Sequence, residues 1–134
     1  MKYLLHTNIC IYLLNNQYDY LINKIKSIGI DEILISTITI AELEFGIAKS
    51  QRRKTNRLAL MKFLLPFKFL DFTQNDSYEY GLLKHDLQMK GAVIGTMDLL
   101  IGAQAIANDL ILVTNNMKEF ERIDGIKIEN WVVN

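Results

Sequence analysis

The sequence predicts an α/β fold with a parallel sheet, and three observations carry that expectation. Short, largely apolar runs at residues 3–5, 33–35, 67–72, 111–113 and 126–128 read as buried strands. Those at 3–5, 33–35 and 111–113 hold no charged residue, as expected of strands covered on both faces. Stretches with helical spacing of apolar residues separate them. At 134 residues, half of them hydrophobic and 22% charged, the chain can bury a core and is not disordered. Strand and helix in alternation argue for a doubly covered parallel sheet of about five strands.

Each element has its own justification. Tyr3-Leu4-Leu5 is a short apolar run that meets polar residues at once, too short for a signal peptide. Leu13, Leu21 and Ile25 belong to a helical stretch that Asn15-Asn16 breaks in two. Ile33-Leu34-Ile35 is followed by a helix with Ile40, Leu43 and Ile47 on one face. Leu58, Met61 and Leu65 repeat that spacing before Pro66 stops the helix. Tyr80, Leu83 and Leu87 form the next stripe, which Gly91 closes. Leu99, Ala103 and Ile106 form the last, where Gly102, Ala103, Ala105 and Ala107 permit close packing. There is no repeat, linker or low-complexity tract, so residues 1–134 are expected to form a single domain.

Composition excludes several classes of function. Fifteen basic residues balance 15 acidic ones, which rules out a globally basic nucleic-acid coat but not a local patch. The single Cys10 permits neither an internal disulfide nor a cysteine zinc site, and suits a reducing cytoplasm. No apolar run reaches the ~18 residues of a membrane span. A cytoplasmic protein without membrane contact is expected.

In a parallel sheet the site lies beyond the carboxyl ends of the strands. His6-Thr7-Asn8, then residues 36–42 with Glu42, then Thr114-Asn115-Asn116 with Glu119 all follow strands. Asp98 joins them, because a helix feeding the fourth strand must begin at the same edge. Plain readings exist for each. Thr39 and Glu42 have the spacing of a capping box, Thr96 can cap the helix bearing Asp98, and residues 114–116 can be a turn. Several acids at one rim nonetheless repel unless a cation sits among them, and hard divalent ions take oxygen ligands.

These residues carry a resemblance. The chain is similar to PIN-domain ribonucleases, specifically VapC-type toxins of bacterial toxin–antitoxin pairs. The matching segments are residues 1–5 with Thr7-Asn8; Ile40-Ala41-Glu42-Leu43 with Gly46; Ile94-Gly95 with Asp98-Leu99-Leu100-Ile101; Leu112-Val113-Thr114-Asn115-Asn116 with Glu119-Phe120 and Arg122; and Glu129-Asn130-Trp131. The resemblance implies a three-layer α/β/α PIN-like sandwich and an Mg²⁺- or Mn²⁺-dependent endoribonuclease. Its catalytic positions fall on His6, Glu42, Asp98, Asn116 and Glu119, with the metal at Glu42, Asp98 and the first position. That first position is where the chain departs: the family has aspartate immediately before Thr-Asn, and here the residue is His6. Imidazole suits Zn, Cu, Fe or Ni better than Mg, so Mg²⁺ binding and cleavage are expected to be impaired. Aspartate and histidine codons differ by one base, so a single event accounts for the change.

The resemblance also implies structured RNA as substrate, most often tRNA, together with a homodimer and a VapB-type antitoxin that alone contacts operator DNA. Independently, Lys49, Arg52, Arg53, Lys54 and Arg57 form a basic run suited to phosphates, or to solvent. Lys84 and Lys90 can add to it. The stretch with Leu58, Leu60, Met61, Phe63, Leu64, Leu65 and Phe67 is apolar on more than one face, hence central or covered by a partner, in the region where the resemblance implies an antitoxin groove. Cys10 reads as a small buried hydrophobe, His85 as exposed, and Trp131 as packing the C-terminus. Two other classes compete: a PIN-like module that binds antitoxin or RNA without cutting, and a phosphotransfer receiver. The receiver needs an aspartate ending the third strand, which Asp71 approaches, and a closing lysine motif, which is absent.

Overall fold

The structure, a computed structural model, describes residues 2–132. Met1 of the first matching segment and residues 133–134 of the expected domain lie outside the described residues. The order is β1 Tyr3–Leu5, α1 Thr7–Leu14, α2 Asp19–Ile28, a 3-10 turn at Ile30–Glu32, β2 Ile33–Ser36, α3 Thr37–Ala48 and α4 Arg53–Leu64. Then come β3 Lys68–Leu70, α5 Gln74–Met89, α6 Thr96–Ala107, β4 Ile111–Val113, α7 Met117–Phe120 and β5 Lys127–Glu129. All five strands are parallel, in the order β3-β2-β1-β4-β5.

Successive strand residues face opposite ways, and the two faces are easily traced. Leu5, Ile33, Ile35 and Val113 pack into one cluster with Ile9, Leu13, Leu21, Ile25, Leu43 and Leu60 of α1 to α4. Leu4, Leu34 and Leu112 point the other way, toward Leu87, Leu99, Ile101, Ala105 and Phe120 of α5 to α7. The result is the expected three-layer sandwich. Gly102 permits a close approach within it: a Cβ there would lie 2.8 Å from Ile123 Cδ1.

Four local expectations need correction. The apolar run at residues 67–72 predicts a longer third strand than the one observed, which spans Lys68–Leu70. It is an edge strand paired only with β2, whose register ends at Ser36 opposite Leu70, so Asp71 and Phe72 have no ladder to join. The fifth strand is shifted by one residue, to Lys127–Glu129, by its pairing with β4. Thr39 and Glu42 do not form a capping box. The chain leaves β2 directly into α3, so Ser36 is the cap, accepting a hydrogen bond from Ile38 N–H at 3.0 Å, and Thr39 is already inside the helix. The capping box occurs instead at Thr73 and Asp76 of α5. At α6 the cap position is Gly95, with Thr96 the first helical residue.

Candidate active site

In this strand order β1 lies between β2 and β4, which the chain reaches in opposite directions, so a crevice opens beyond their carboxyl ends. His6 stands at the end of β1. Its backbone N–H donates to Val113 O at 2.9 Å, extending the ladder to β4, and its φ and ψ of −67° and 155° turn the chain into α1. The side chain is buried, edge-on to Phe120 with ring centroids 4.9 Å apart. One ring nitrogen, Nε2, lies 2.7 Å from Asp98 Oδ1, and the other, Nδ1, lies 2.9 Å from Thr114 Oγ1.

The proton positions follow from the network. A carboxylate only accepts, so Nε2 carries the hydrogen that reaches Asp98. Thr114 Oγ1 already accepts from Asn116 N–H at 2.9 Å. With the ring neutral and its hydrogen on Nε2, the Thr114 hydroxyl donates to Nδ1. The chain of donors runs from Asn116 N–H to Thr114, to His6, to Asp98, with every hydrogen used. The hydrogen bond from His6 holds the Asp98 carboxyl below its ordinary value. Burial opposes this, while the ring's charge when protonated and a hydrogen bond with Glu119 act in the same direction.

Glu42 is tied to the next residue in sequence. Thr7 Oγ1 donates to Glu42 Oε1 at 2.6 Å, and Thr39 lies 3.0 Å from the same hydroxyl as its donor. Consecutive residues of the β1–α1 junction thus engage the carboxylates of α3 and α6. Glu119 is held by Asn116 Nδ2 at 2.6 Å and by Gly95 N–H at 3.3 Å. The five expected catalytic positions, His6, Glu42, Asp98, Asn116 and Glu119, therefore sit in two hydrogen-bonded groups at one rim. Sequence reasoning places Thr7, Thr39 and Thr114 at this rim but does not reveal Thr7, backed by Thr39, as the partner of Glu42, nor Thr114 as the partner of His6. Their signal is a threonine directly after, or one turn beyond, a strand end. Asn8 Oδ1, beside them, is buried with no partner among the described residues.

The divalent ion that the resemblance implies can be tested against this donor set. Such an ion needs oxygen lone pairs directed at one point. His6 offers none: Nε2 presents a proton to Asp98, and the Nδ1 lone pair is used by Thr114. Among the described residues no three His, Cys, Asp or Glu side chains are gathered so as to hold a metal. The first position thus offers no oxygen donor, and the ring hydrogen bond engages Asp98 Oδ1.

Elsewhere, Cys10 is buried, which pushes its thiol up to about 12 and keeps it from reacting. His85 is exposed. Trp131 is buried, tilted against Tyr3 with ring centroids 5.3 Å apart. Lys49, Arg52, Arg53, Lys54 and Arg57 are all exposed, Arg57 paired with Glu44 at 3.0 Å. Lys90 pairs with Asp86 and Asp124 instead of joining them. Within residues 58–67, Leu58, Met61 and Leu65 are exposed, Leu64 is half-buried and Leu60 is buried. Leu64 and its neighbours Met61, Leu65, Phe67 and Phe69 line a shallow apolar depression closed at one end by the Glu44–Arg57 pair. No helix among the described residues is long and apolar enough to cross a membrane.

Known proteins share this architecture and this sequence. Residues 3–126 match the family of PIN domains. Ribonuclease VapC2 of Rickettsia felis is 42% identical over 132 residues, 98% of each chain. The tRNA(fMet)-specific endonuclease VapC of Salmonella typhimurium is 33% identical over 131 residues, again 98% of each. The crystal structure of VapBC2 from Rickettsia felis bound to a promoter DNA fragment contains a chain that superimposes with a TM-score of 0.94 at 41% identity, covering 98% of this chain and 100% of that one. With the sheet order, the rim of carboxylates and the full-length match in agreement, the chain belongs to the PIN-domain family, in its VapC ribonuclease branch.

Proposed function

We propose that this protein is the toxin of a toxin–antitoxin pair: an endoribonuclease scaffold for structured RNA whose cleavage is impaired by His6. The observation that carries the reading is the 2.7 Å hydrogen bond from His6 Nε2 to Asp98. It sits at the first position of the acidic rim, where a PIN nuclease needs an oxygen ligand. A tRNA is the substrate class that the naming of the Salmonella typhimurium relative supports. The basic residues Lys49, Arg52, Arg53 and Lys54 supply phosphate contacts. A VapB-type antitoxin is the partner, and operator DNA is reached through it; the similar VapBC2 complex of Rickettsia felis is bound to promoter DNA. The apolar surface at Leu58, Met61, Leu64 and Leu65 is its docking region or that of a second copy in a homodimer.

Chemically, the chain's own residues bind and orient. Glu42, fixed by Thr7, and Glu119, fixed by Asn116, keep carboxylates at the rim. His6 occupies Asp98 and withdraws it from ion binding. With aspartate at position 6 the rim recovers the oxygen set that Mg²⁺ or Mn²⁺ requires. A misplacement of about 1 Å in a reacting group can cost ~10²-fold in rate. His6→Asp should therefore raise cleavage of total tRNA in Mg²⁺ or Mn²⁺ by about that factor or more, and adding Asp98→Ala should remove the gain. Equal rates for the parent and the His6→Asp variant would show that the first position is dispensable.

A second reading is favoured by the same hydrogen bond, since both ring nitrogens of His6 are engaged within the protein. On this reading the chain is a PIN-like module that binds antitoxin or RNA and does not cut. An inert His6→Asp variant that still binds its partners would select it.

A further inference from the structure

Helix α3 carries Glu42 and Phe45 and is capped at its C-terminus by Lys49, and the acidic rim uses neither of the last two. Phe45 is 66% exposed, and the Lys49 Nζ lies 4.9 Å from the centre of its ring. Lys49 is seven residues beyond Glu42, two turns along the helix and ~10 Å along its axis, on nearly the same face. Side chains of a helix lean toward its N-terminus. The Phe45 ring therefore leans back toward the turn that bears Glu42, and Lys49 leans over the ring, as its position shows.

An exposed aromatic ring usually invites an apolar cover. Here the surroundings argue otherwise. Lys49, Arg52, Arg53 and Lys54 are all exposed and follow directly, and none of the salt bridges among the described residues uses them. Four cations outside any ion pair of the described residues therefore follow Phe45 closely in sequence, and one of them, Lys49, lies over its ring. Two other exposed rings differ: Tyr78 at 66% and Phe69 at 51% exposure have no cation over them among the described residues. The two further cation–ring contacts, Lys24 with Trp131 and Lys84 with Tyr80, involve rings that are buried or half-buried. At Phe45 high exposure and a cation coincide, one helical turn from Glu42.

That pairing is what a single-stranded polyanion of flat bases needs. Every base has a face that can stack on an aromatic ring, while an ammonium nearby neutralises the adjoining phosphate. We infer that Phe45 is a stacking platform for an unpaired RNA base next to the acidic rim, with Lys49 binding the phosphate beside that base. The ligand class rests on the ribonuclease reading above; the stacking contact is additional to it. Lys49 then serves twice, over the ring in the free protein and on the phosphate in the complex. The consequence for specificity is that RNA loops with splayed bases bind better than duplexes of equal charge.

The experiment uses the chain as it stands, with His6, so that cleavage does not blur binding. The probe is an RNA hairpin carrying 2-aminopurine in its loop, with a fully paired duplex of the same length as reference. The parent should bind the hairpin and quench the fluorescent base. Phe45→Leu should lower hairpin affinity about 5- to 150-fold and abolish the quench, while leaving duplex affinity and thermal stability unchanged. Phe45→Tyr should restore both signals. Lys49→Ala should weaken binding to both RNAs and reduce the salt slope by about one. Equal hairpin affinity and quench in Phe45→Leu would overturn the stacking platform and leave the RNA reading intact. Equal losses on hairpin and duplex would also overturn it, assigning Phe45 to backbone contact or to the fold. Failure of the parent to bind the hairpin or total tRNA at low salt would overturn the RNA reading itself, and this inference with it.

Discussion

Helix α6 takes part in two polar networks, one at each end, and they are built differently. At its C-terminal half, Gln104 is fully buried. Ser36 donates its hydroxyl to Gln104 Oε1, and Gln104 Nε2 donates to Leu70 O at 3.3 Å. Asn108 Nδ2 donates to Gln104 O at 2.8 Å and to Asp76 Oδ1 at 3.1 Å, and Asp76 Oδ2 takes Thr73 N–H at 2.8 Å. These bonds tie the α3 cap, the end of β3 and the start of α5 to one helix. At the N-terminal end, Asp98 is joined by His6, Thr114 and Asn116, but that side chain remains 24% exposed. The first network is closed and serves geometry. The second ends on a carboxylate that is part-exposed at the rim. Polar groups that hold a fold are satisfied internally, whereas groups arranged for a ligand keep capacity in reserve.

The sharpest way to break this contrast is to open the closed network. Asp76→Ala removes the acceptor of Thr73 N–H and of the Asn108 amide in a fully buried place, and also half of the capping box. Both donors belong to exposed residues that water can reach, so the cost is that of the lost cap, ~1 kcal/mol, and of hydrogen bonds to a charged acceptor, ~1.5–3 kcal/mol. The expected loss is about 2–4 kcal/mol in urea unfolding, with Asp76→Asn in between because it keeps one acceptor. RNA binding by folded protein should not change. A loss below about 0.5 kcal/mol, the range of ordinary surface substitutions, would mean that the network is ornamental.

Thr114→Val tests the rim network at the cost of a single hydroxyl. The substitution keeps shape and leaves Asn116 N–H without its acceptor and His6 Nδ1 without its donor. Stability should fall by about 1–2 kcal/mol. The nitrogen NMR signals of His6 should also move, because the Nε2–H tautomer is no longer enforced from the Nδ1 side. Unmoved signals would show that Asp98 alone fixes the ring.

These two networks also mark where sequence reasoning ends. The strands β1, β2 and β4 are legible because their residues are buried on both faces and so read as unbroken apolar runs. The rim is legible because its acids follow strand ends. The direct bond from His6 to Asp98 is not, since the partners are 92 residues apart and only the sheet order brings them together. Thr39 and Glu42 match a capping box by spacing, yet a strand running straight into a helix moves the cap to Ser36. The Thr73–Asp76 box uses aspartate where glutamate or glutamine is usual, which hides it. Gln104 does leave a sign: a polar residue amid Gly102, Ala103 and Ala105 has to find partners in the core.

The smallest effect expected separates the networks by pH. Asp98 is held below its ordinary value chiefly by the hydrogen bond from His6. A carboxyl depressed in the folded state binds fewer protons there than in the unfolded chain, so its contribution is complete above the ordinary carboxylate range. It is lost as pH falls through the lowered folded value. Burial pulls the other way and the side chain is partly solvated, so the contribution is modest beside the loss of a buried acceptor. Urea midpoints measured from neutral pH down to about pH 3, below the ordinary carboxylate range, should fall more steeply for the parent than for Asp98→Asn. The amide oxygen in that variant still accepts from His6 but cannot titrate. Parallel curves would mean that the carboxylate charge of Asp98 adds nothing to the fold, and that its place at the rim is maintained for whatever binds there.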